Sequence, residues 1–478
     1  MRRILTIAFV VLAISVQAQD TLRYTLKECV DIAYQNNLRI KRSIYNIESF
    51  EINQNQAKAA FLPTLNFSGS SINNYGRALN PVTNQFVDRN SGALGLGGQA
   101  NLTLFNGLRN QNTYRQSKLD VEAANEDLQK AKNDIALSVI NNFINVIFNQ
   151  ELLGNSVYQL NSSKQQLDRI KKQVAAGALP KANELNQEAQ VATNEVNFIN
   201  QENALNLSIL QLKQAMQVTA STPLKVVIPE LTPQDLVLEK NADAIYQIAS
   251  QSMPEMKSAI LKVNSASLAL KASKGNFYPR LSLSYNAQSN YSSLNNGPRF
   301  QPDGTVSVNS IPLGVVGAAG GQQVYGYSPN FTQIAEKYTQ TEQLSDNLFR
   351  SLSFNLNIPI FNGLQTRSSV QRSYVNKELA DITVKETENT LRQSIETAFN
   401  DALSASKTFN SSIKQVSAQE EAYRMNKQRF ENGATNFVEY QVSENDFFRA
   451  KSDLARAKYN FIFRKKLLDF YEGKPLEF

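Results

Sequence analysis

The sequence predicts a mainly α-helical chain with membrane β-structure, made of two copies of one unit. Each copy contributes a long antiparallel coiled-coil hairpin and two strands, so the chain carries four strands in all. Three observations carry this. Leu153, Leu160, Leu167 and Val174 stand seven residues apart, and so do Phe409, Val416, Tyr423 and Phe430; a seven-residue apolar repeat is the seam of a left-handed coiled coil. Val157 and Ile170 extend the first ladder and Ile413 the second. Each ladder runs into a glycine, Gly177 or Gly433, and ladders and glycines share one offset of 256 residues. A glycine just past the last seam residue is a helix stop. Finally, each half holds two segments that alternate apolar and polar residues, the period of a strand with two unlike faces.

The 478 residues would ordinarily suggest about three domains, a prior that weakens for elongated duplicated helices. There is no His and no Trp, and Cys29 is the only cysteine. Histidine-based acid–base chemistry and His or multi-Cys metal sites are therefore excluded, as is an internal disulfide. Cys29 shares a helical face with Leu26, Val30 and Ala33 and reads as a small buried hydrophobe.

Residues 1–18 read as a signal peptide, with Arg2 and Arg3 ahead of an apolar run and Val16-Gln17-Ala18 as the cleavage site. Losing them lowers the net charge from +7 to +5, which is modest, and no basic patch with interleaved aromatics points to nucleic acid. No later stretch has the roughly 18 apolar residues of a spanning helix. The chain is expected to be exported and to meet a membrane, if at all, as strands.

The first repeat covers 19–222. A short amphipathic helix (25–37) and a second helix (38–61) precede a strand at about 64–72, where Leu65 and Phe67 alternate with Thr64, Asn66 and Ser68. Residues 73–98, rich in Asn, Gly and Ser, read as an exposed loop, and a second strand follows at about 99–105. The helical hairpin spans 108–218 and turns at Gly177, Ala178 and Leu179. A linker with three prolines covers 223–241. The second repeat, 242–471, has strands at about 280–291 and 350–361 and a hairpin at 364–471 that turns at Gly433, Ala434 and Thr435. Residues 472–478 read as a tail. Phe105-Asn106-Gly107-Leu108 recurs letter for letter as Phe361-Asn362-Gly363-Leu364. Residues 291–346 form an insertion without a counterpart, expected on the outer side.

Strands of about ten residues have transmembrane length. Four cannot close a barrel, and lipid does not tolerate an open sheet edge, so the membrane reading demands pooled strands: two copies supply eight, three supply twelve. The helices then project as a tube with the hairpin turns at its far end. Glu439, Glu444 and Asp446 follow the second turn. They read either as a solvated helix face or as a ring of carboxylates at a constriction that selects cations.

In the order of these features, and in Phe61-Leu62-Pro63 and Phe277-Tyr278-Pro279 entering the first strand of each half, the chain resembles the TolC-like outer-membrane efflux protein family. The resemblance implies a homotrimer with a twelve-stranded barrel in outer-membrane lipid and a twelve-helix periplasmic tunnel. It implies a passive exit duct for efflux or type I secretion, neither enzyme nor cofactor-bound. An inner-membrane pump drives such a duct through a periplasmic adaptor docked at the turns, here Gly177, Ala178, Leu179, Gly433, Ala434 and Thr435. The family often places an acid six positions after the second turn glycine, where Glu439 stands; a further acid is replaced by Val442 and a basic residue by Thr435. The family's gate bonds therefore do not carry over.

A periplasmic coiled-coil adaptor would need neither four amphipathic strands nor a whole-unit duplication. An exported enzyme is disfavoured by the missing histidine and the absence of a pocket-forming globular segment.

Overall fold

The computed structural model describes residues 23–79, 84–88, 90–228, 240–316 and 321–474. The expected leader lies outside the described residues, as do most of the linker and the last four residues of the tail. In chain order the elements are β1 (Arg23–Tyr24), α1 (Leu26–Asn36), α2 (Leu38–Ala59), β2 (Thr64–Asn74), β3 (Arg77–Leu79), β4 (Phe86–Asp88), β5 (Ser91–Asn106), α3 (Arg109–Ala175), α4 (Lys181–Ala215) and β6 (Lys225–Val226). The second half adds α5 (Ala242–Ser252), α6 (Pro254–Lys274), β7 (Arg280–Ser292), β8 (Arg299–Val316), β9 (Gln322–Ala335), α7 (Gln340–Asp346), β10 (Phe349–Asn357), α8 (Gln365–Glu431) and α9 (Phe437–Tyr471). Helices α3 and α8 have 67 residues each, about 100 Å at 1.5 Å per residue. No helix among the described residues is long and apolar enough to cross a membrane.

The chain divides into two units. The strand unit draws on Gln54–Arg115 and Leu268–Ser373. Its main sheet is antiparallel with strand order β10-β7-β5-β2. The central pair thus joins a strand of each repeat, and the two edges are β2 and β10. Two expectations are corrected here. Residues 91–98 are not loop but the start of β5. Their glycines hid them, yet the glycines fit the sheet: a Cβ on Gly95 would lie 2.9 Å from Ser70 Oγ, and one on Gly97 3.2 Å from Ser68 Oγ. The final strand ends at Asn357 rather than 361, because Pro359 follows and has no N–H to donate to a ladder. The described residues of the insertion include the paired strands β8 and β9 and the short helix α7.

The repeated Asn-Gly-Leu has a geometric cause. Gly107 and Leu108 take φ of 66° and 61°, Gly363 and Leu364 take 63° and 65°. Two successive left-handed residues turn the strand into the helix, a conformation that costs L-residues about 1–2 kcal/mol each and so favours glycine at the first. The preceding asparagine holds the new helix in both copies. Asn106 Nδ2 donates to Asn110 Oδ1 at 2.8 Å, and Asn362 Nδ2 donates to Thr366 Oγ1 at 2.6 Å. Gly107 is required twice over, since a Cβ there would meet Gly275 O at 2.3 Å.

The helical unit comprises the chain up to Asn53, Gln116–Ser267 and the chain from Tyr374. Thr25 and Glu28 close a capping box at the start of α1. Two apolar cores repeat the duplication in space. Ile135, Val139 and Val146 of α3 with Leu212 of α4 face α1, while Leu391, Ile395 and Ala402 of α8 with Leu468 of α9 face α5. Each of these pairs is separated by the same 256 residues. Cys29 sits in the first core fully buried, and burial, with Glu28 beside it, pushes its thiol up to about 12. It is an inert packing residue.

Candidate functional site

Two regions could do the work of this molecule: the faces of the four-stranded sheet, and the ends of the helical hairpins. They lie in different units and are described separately.

The sheet register aligns unlike side chains into rows. Leu65 pairs with Ala100, Ala100 with Tyr285, and Tyr285 with Leu352, so one apolar row crosses all four strands. One residue along, Thr64, Asn101, Ser284 and Ser353 form a polar row on the opposite face. There Ser284 Oγ donates to Asn101 Oδ1 at 2.7 Å and Asn355 Nδ2 donates to Ser284 Oγ at 3.3 Å. Among the described residues nothing covers the apolar face: Leu65 is 77% exposed and Phe354 67%. A contiguous apolar sheet face left open is a contact surface for something apolar, and alternation of this kind is the pattern of a strand between lipid and water.

The hairpin turns are a matched pair. Gly177 has φ 74° and Gly433 φ 71°. Gly177 N donates to Val174 O at 3.0 Å and Ala178 N to Gln173 O at 2.8 Å; Gly433 N to Phe430 O and Ala434 N to Arg429 O repeat those distances. Both are Schellman stops. Behind them Ile170, Phe437 and Tyr440 form a small core with Val174, Leu179, Tyr423 and Phe430, so the outgoing helix of the first hairpin packs on the return helix of the second. Tyr423 stacks on Phe447 at 5.4 Å, and Phe430 on Tyr440 at 5.2 Å.

The seam corrects one detail of the ladders. Val157 and Ile413 are exposed, while Ser156, Ser163 and Ser412 are buried. The second seam position is therefore polar. Ser156 Oγ and Ser163 Oγ donate to the carbonyls of Leu153 and Leu160 in their own helix, which removes the cost of burying a hydroxyl. Behind the turns a belt of amides joins the hairpins: Gln441 Nε2 donates to Gln190 Oε1 at 2.6 Å, and Gln190 Nε2 to Asn445 Oδ1 at 3.3 Å.

The three carboxylates singled out from the sequence do not act alike. Glu439 is exposed and committed to the start of α9: its N–H donates to the Asn436 cap at 2.9 Å, and its carboxylate accepts from Thr435 Oγ1 and from Asn436 Nδ2. Asp446 is half-buried and ion-paired with Arg449 at 3.7 Å. Glu444 is not on a solvated face; it is only 4% exposed. It accepts from Ser162 Oγ at 3.0 Å, and Tyr440 and Tyr423 bond to the same carboxyl. Burial raises its pKa, against the hydrogen bonds from Ser162 and Tyr440 and the charge of Lys427, which lower it. Nothing near Glu444 along the chain signals this, because Ser162 lies on the other hairpin, 282 residues away. Val442, where the resemblance would place an acid, is an exposed apolar residue. No group of three or more potential metal ligands occurs among the described residues.

The profile of a family described as "Outer membrane efflux protein" matches residues 29–217 and 245–464. The outer membrane efflux protein BepC of Brucella suis biovar 1 (strain 1330) is 25% identical over 275 residues, 56% of this chain and 56% of that protein. The chain thus aligns with little more than half the length of that curated relative. Among solved structures, the outer membrane protein VceC of Vibrio cholerae superposes with a TM-score of 0.73 at 12% identity, covering 95% of this chain and 97% of that one. The Campylobacter jejuni CmeC outer membrane channel gives 0.71 at 15% identity, covering 94% and 85%. The open-state Neisseria gonorrhoeae MtrE outer membrane channel gives 0.68 at 14% identity, covering 95% and 89%. Likeness at this identity establishes a common fold.

Proposed function

The chain belongs to the outer membrane efflux protein family, and from that premise we propose that it is the outer-membrane exit duct of a tripartite efflux or type I secretion system. The observation that carries the reading is the open four-stranded sheet, with, among the described residues, an uncovered apolar face, a polar face behind it, and unpaired edges at β2 and β10. In lipid such edges must be paired. Pairing β10 of one copy with β2 of the next supplies that closure, and three copies give a barrel of twelve strands with the apolar rows toward lipid and the polar rows toward a water-filled lumen. Each copy adds two hairpins to a periplasmic tunnel. The duct is passive and carries out no chemical step, and it holds no cofactor.

The turns Gly177, Ala178, Leu179, Gly433, Ala434 and Thr435 are where a periplasmic adaptor docks, linking the duct to an inner-membrane pump. The exposed apolar side chains of Val438 and Val442 just behind the second turn suit such a contact. A ring of carboxylate charge at the tunnel end is carried by Glu439 and Asp446, which retain solvent; Glu444 instead ties the hairpins together.

The test is the mass of the detergent-extracted, signal-cleaved protein by light scattering corrected for bound detergent, followed by conductance in a planar bilayer. A trimer that conducts supports the duct. A monomer soluble without detergent defeats it and favours an adaptor-like interaction protein.

A further inference from the structure

The insertion hairpin β8–β9 is amphipathic in an unusual way. On β9, Tyr325, Tyr327 and Phe331 alternate onto one face, and Val306 and Val308 of β8 stand opposite Pro329 and Tyr327 on that same face. Tyr327 is 72% exposed and Phe331 56%, so no other part of the chain among the described residues covers them. The sequence from 304 to 335 contains no charged residue. Exposed β-hairpins are ordinarily guarded by charge; this one is not.

The hairpin is also held firmly at its root. Arg299 Nη2 bonds to Asp346 Oδ2 at 2.7 Å and its guanidinium lies 4.5 Å from the Tyr338 ring centroid. Gln343, fully buried, accepts from Ser292 N at 3.0 Å and donates to Asn296 Oδ1 at 2.9 Å. The hairpin is therefore a projection fixed to the end of β7 remote from the strand-to-helix turns.

We propose that the tyrosine-lined faces of these hairpins pack against one another between copies of this chain, forming a collar over the mouth of the barrel. The inference rests on the duct reading for its geometry. Lipid is disfavoured as the occupant because β7, with 13 residues, already exceeds the roughly 9–11 that a spanning strand needs, so the root lies past the hydrocarbon layer. A second copy is favoured on two grounds. Identical surfaces carry identical charges, and the uncharged stretch removes the self-repulsion that would keep copies apart. The root is continuous through α7 with β10, the edge at which copies join in the barrel, so the hairpins are held at high effective concentration. Side-chain packing is the mode, because Pro302, Pro312 and Pro329 interrupt the ladder donors along both strands.

The test uses the full mature chain, purified in detergent and reconstituted, with Tyr327→Cys and Phe331→Cys on the apolar face and Ser307→Cys on the other. The native Cys29, buried and with a raised pKa, stays silent toward maleimides. Short and long bismaleimides are expected to give covalent dimers from Tyr327→Cys and Phe331→Cys, at least tenfold more than from Ser307→Cys. Trimeric mass with no enrichment from either variant overturns the collar and leaves the duct standing. A bimane on Tyr327→Cys quenched by nitroxide-labelled lipid overturns it in favour of lipid. Monomeric mass for the unaltered chain overturns the duct and the collar together.

Discussion

The strand unit and the hairpin ends invert one another. In the sheet, Leu65, Phe354 and Leu356 lie open. In the helical seam, Ser163, Gln187 and Glu444 are buried. A water-soluble protein arranges these types the other way round. The difference teaches that the two regions answer to different surroundings. In the proposed duct the sheet keeps its polar groups for an interior and its hydrocarbon for the outside, which is stable only where the outside is lipid. The hairpins bury, beside their apolar cores, small hydroxyls and amides such as Ser163 and Gln187, whose hydrogen bonds run within and between helices.

The comparison breaks most readily on the sheet. Phe354→Arg, on the apolar face, is expected to cost about 2–4 kcal/mol of membrane stability, read as a shift in urea unfolding from lipid vesicles, while Ser353→Arg on the polar face leaves the midpoint almost unmoved. Equal sensitivity of both positions would mean that the faces are not divided between lipid and water. Next in size is the turn. Gly433→Val forces a β-branched residue to positive φ, and a loss of at least about 1–2 kcal/mol is expected, visible as faster amide exchange in the last turn of α8 and the first of α9. Removing the cap at the same end by Asn436→Ala should cost about 1 kcal/mol and leave the α8 stop protected. That result would separate the cap from the stop.

The smallest effect has the opposite sign. Because burial lifts the Glu444 carboxyl above its ordinary value of 4.5, the folded state holds this proton more tightly than the unfolded chain. The group's stabilising contribution is full below 4.5 and declines as pH climbs to the raised value. Glu444→Gln should therefore raise Tm at pH 7 and flatten the dependence of Tm on pH above 4.5. A fall in Tm at pH 7 would mean that the ionised carboxylate is what Ser162, Tyr423 and Tyr440 are built to hold.

The duplication and the strand faces were legible because both follow from periods: seven along the seams, two along the strands, 256 between copies. The Asn-Gly-Leu repeat was legible as a boundary, and the structure supplies its cause in paired left-handed residues. What escaped falls into two kinds. Gly92 to Gly98 reads as loop, since glycine has little strand preference of its own; in the sheet these glycines leave room for Ser68, Ser70 and Asn73 of β2. The burial of Ser156 and Glu444 escaped because polarity predicts exposure, and only a partner far along the chain or a carbonyl one turn back reverses that. The insertion hairpin had no repeat partner against which to be read.

The central junction of the sheet, β5 against β7, has a consequence for assembly. It joins the last strand of one repeat to the first of the next inside one polypeptide, while in the proposed three-copy duct β10 to β2 would make the equivalent join between polypeptides. A chain of single repeats would have to bring six bodies together and seal six such joins, each with its own loss of translational and rotational freedom. Fusion makes half of those joins covalent neighbours before assembly begins. Three encounters remain, and the two classes of join are free to diverge in sequence, which is how an insertion found in one repeat alone can decorate a ring without being repeated six times.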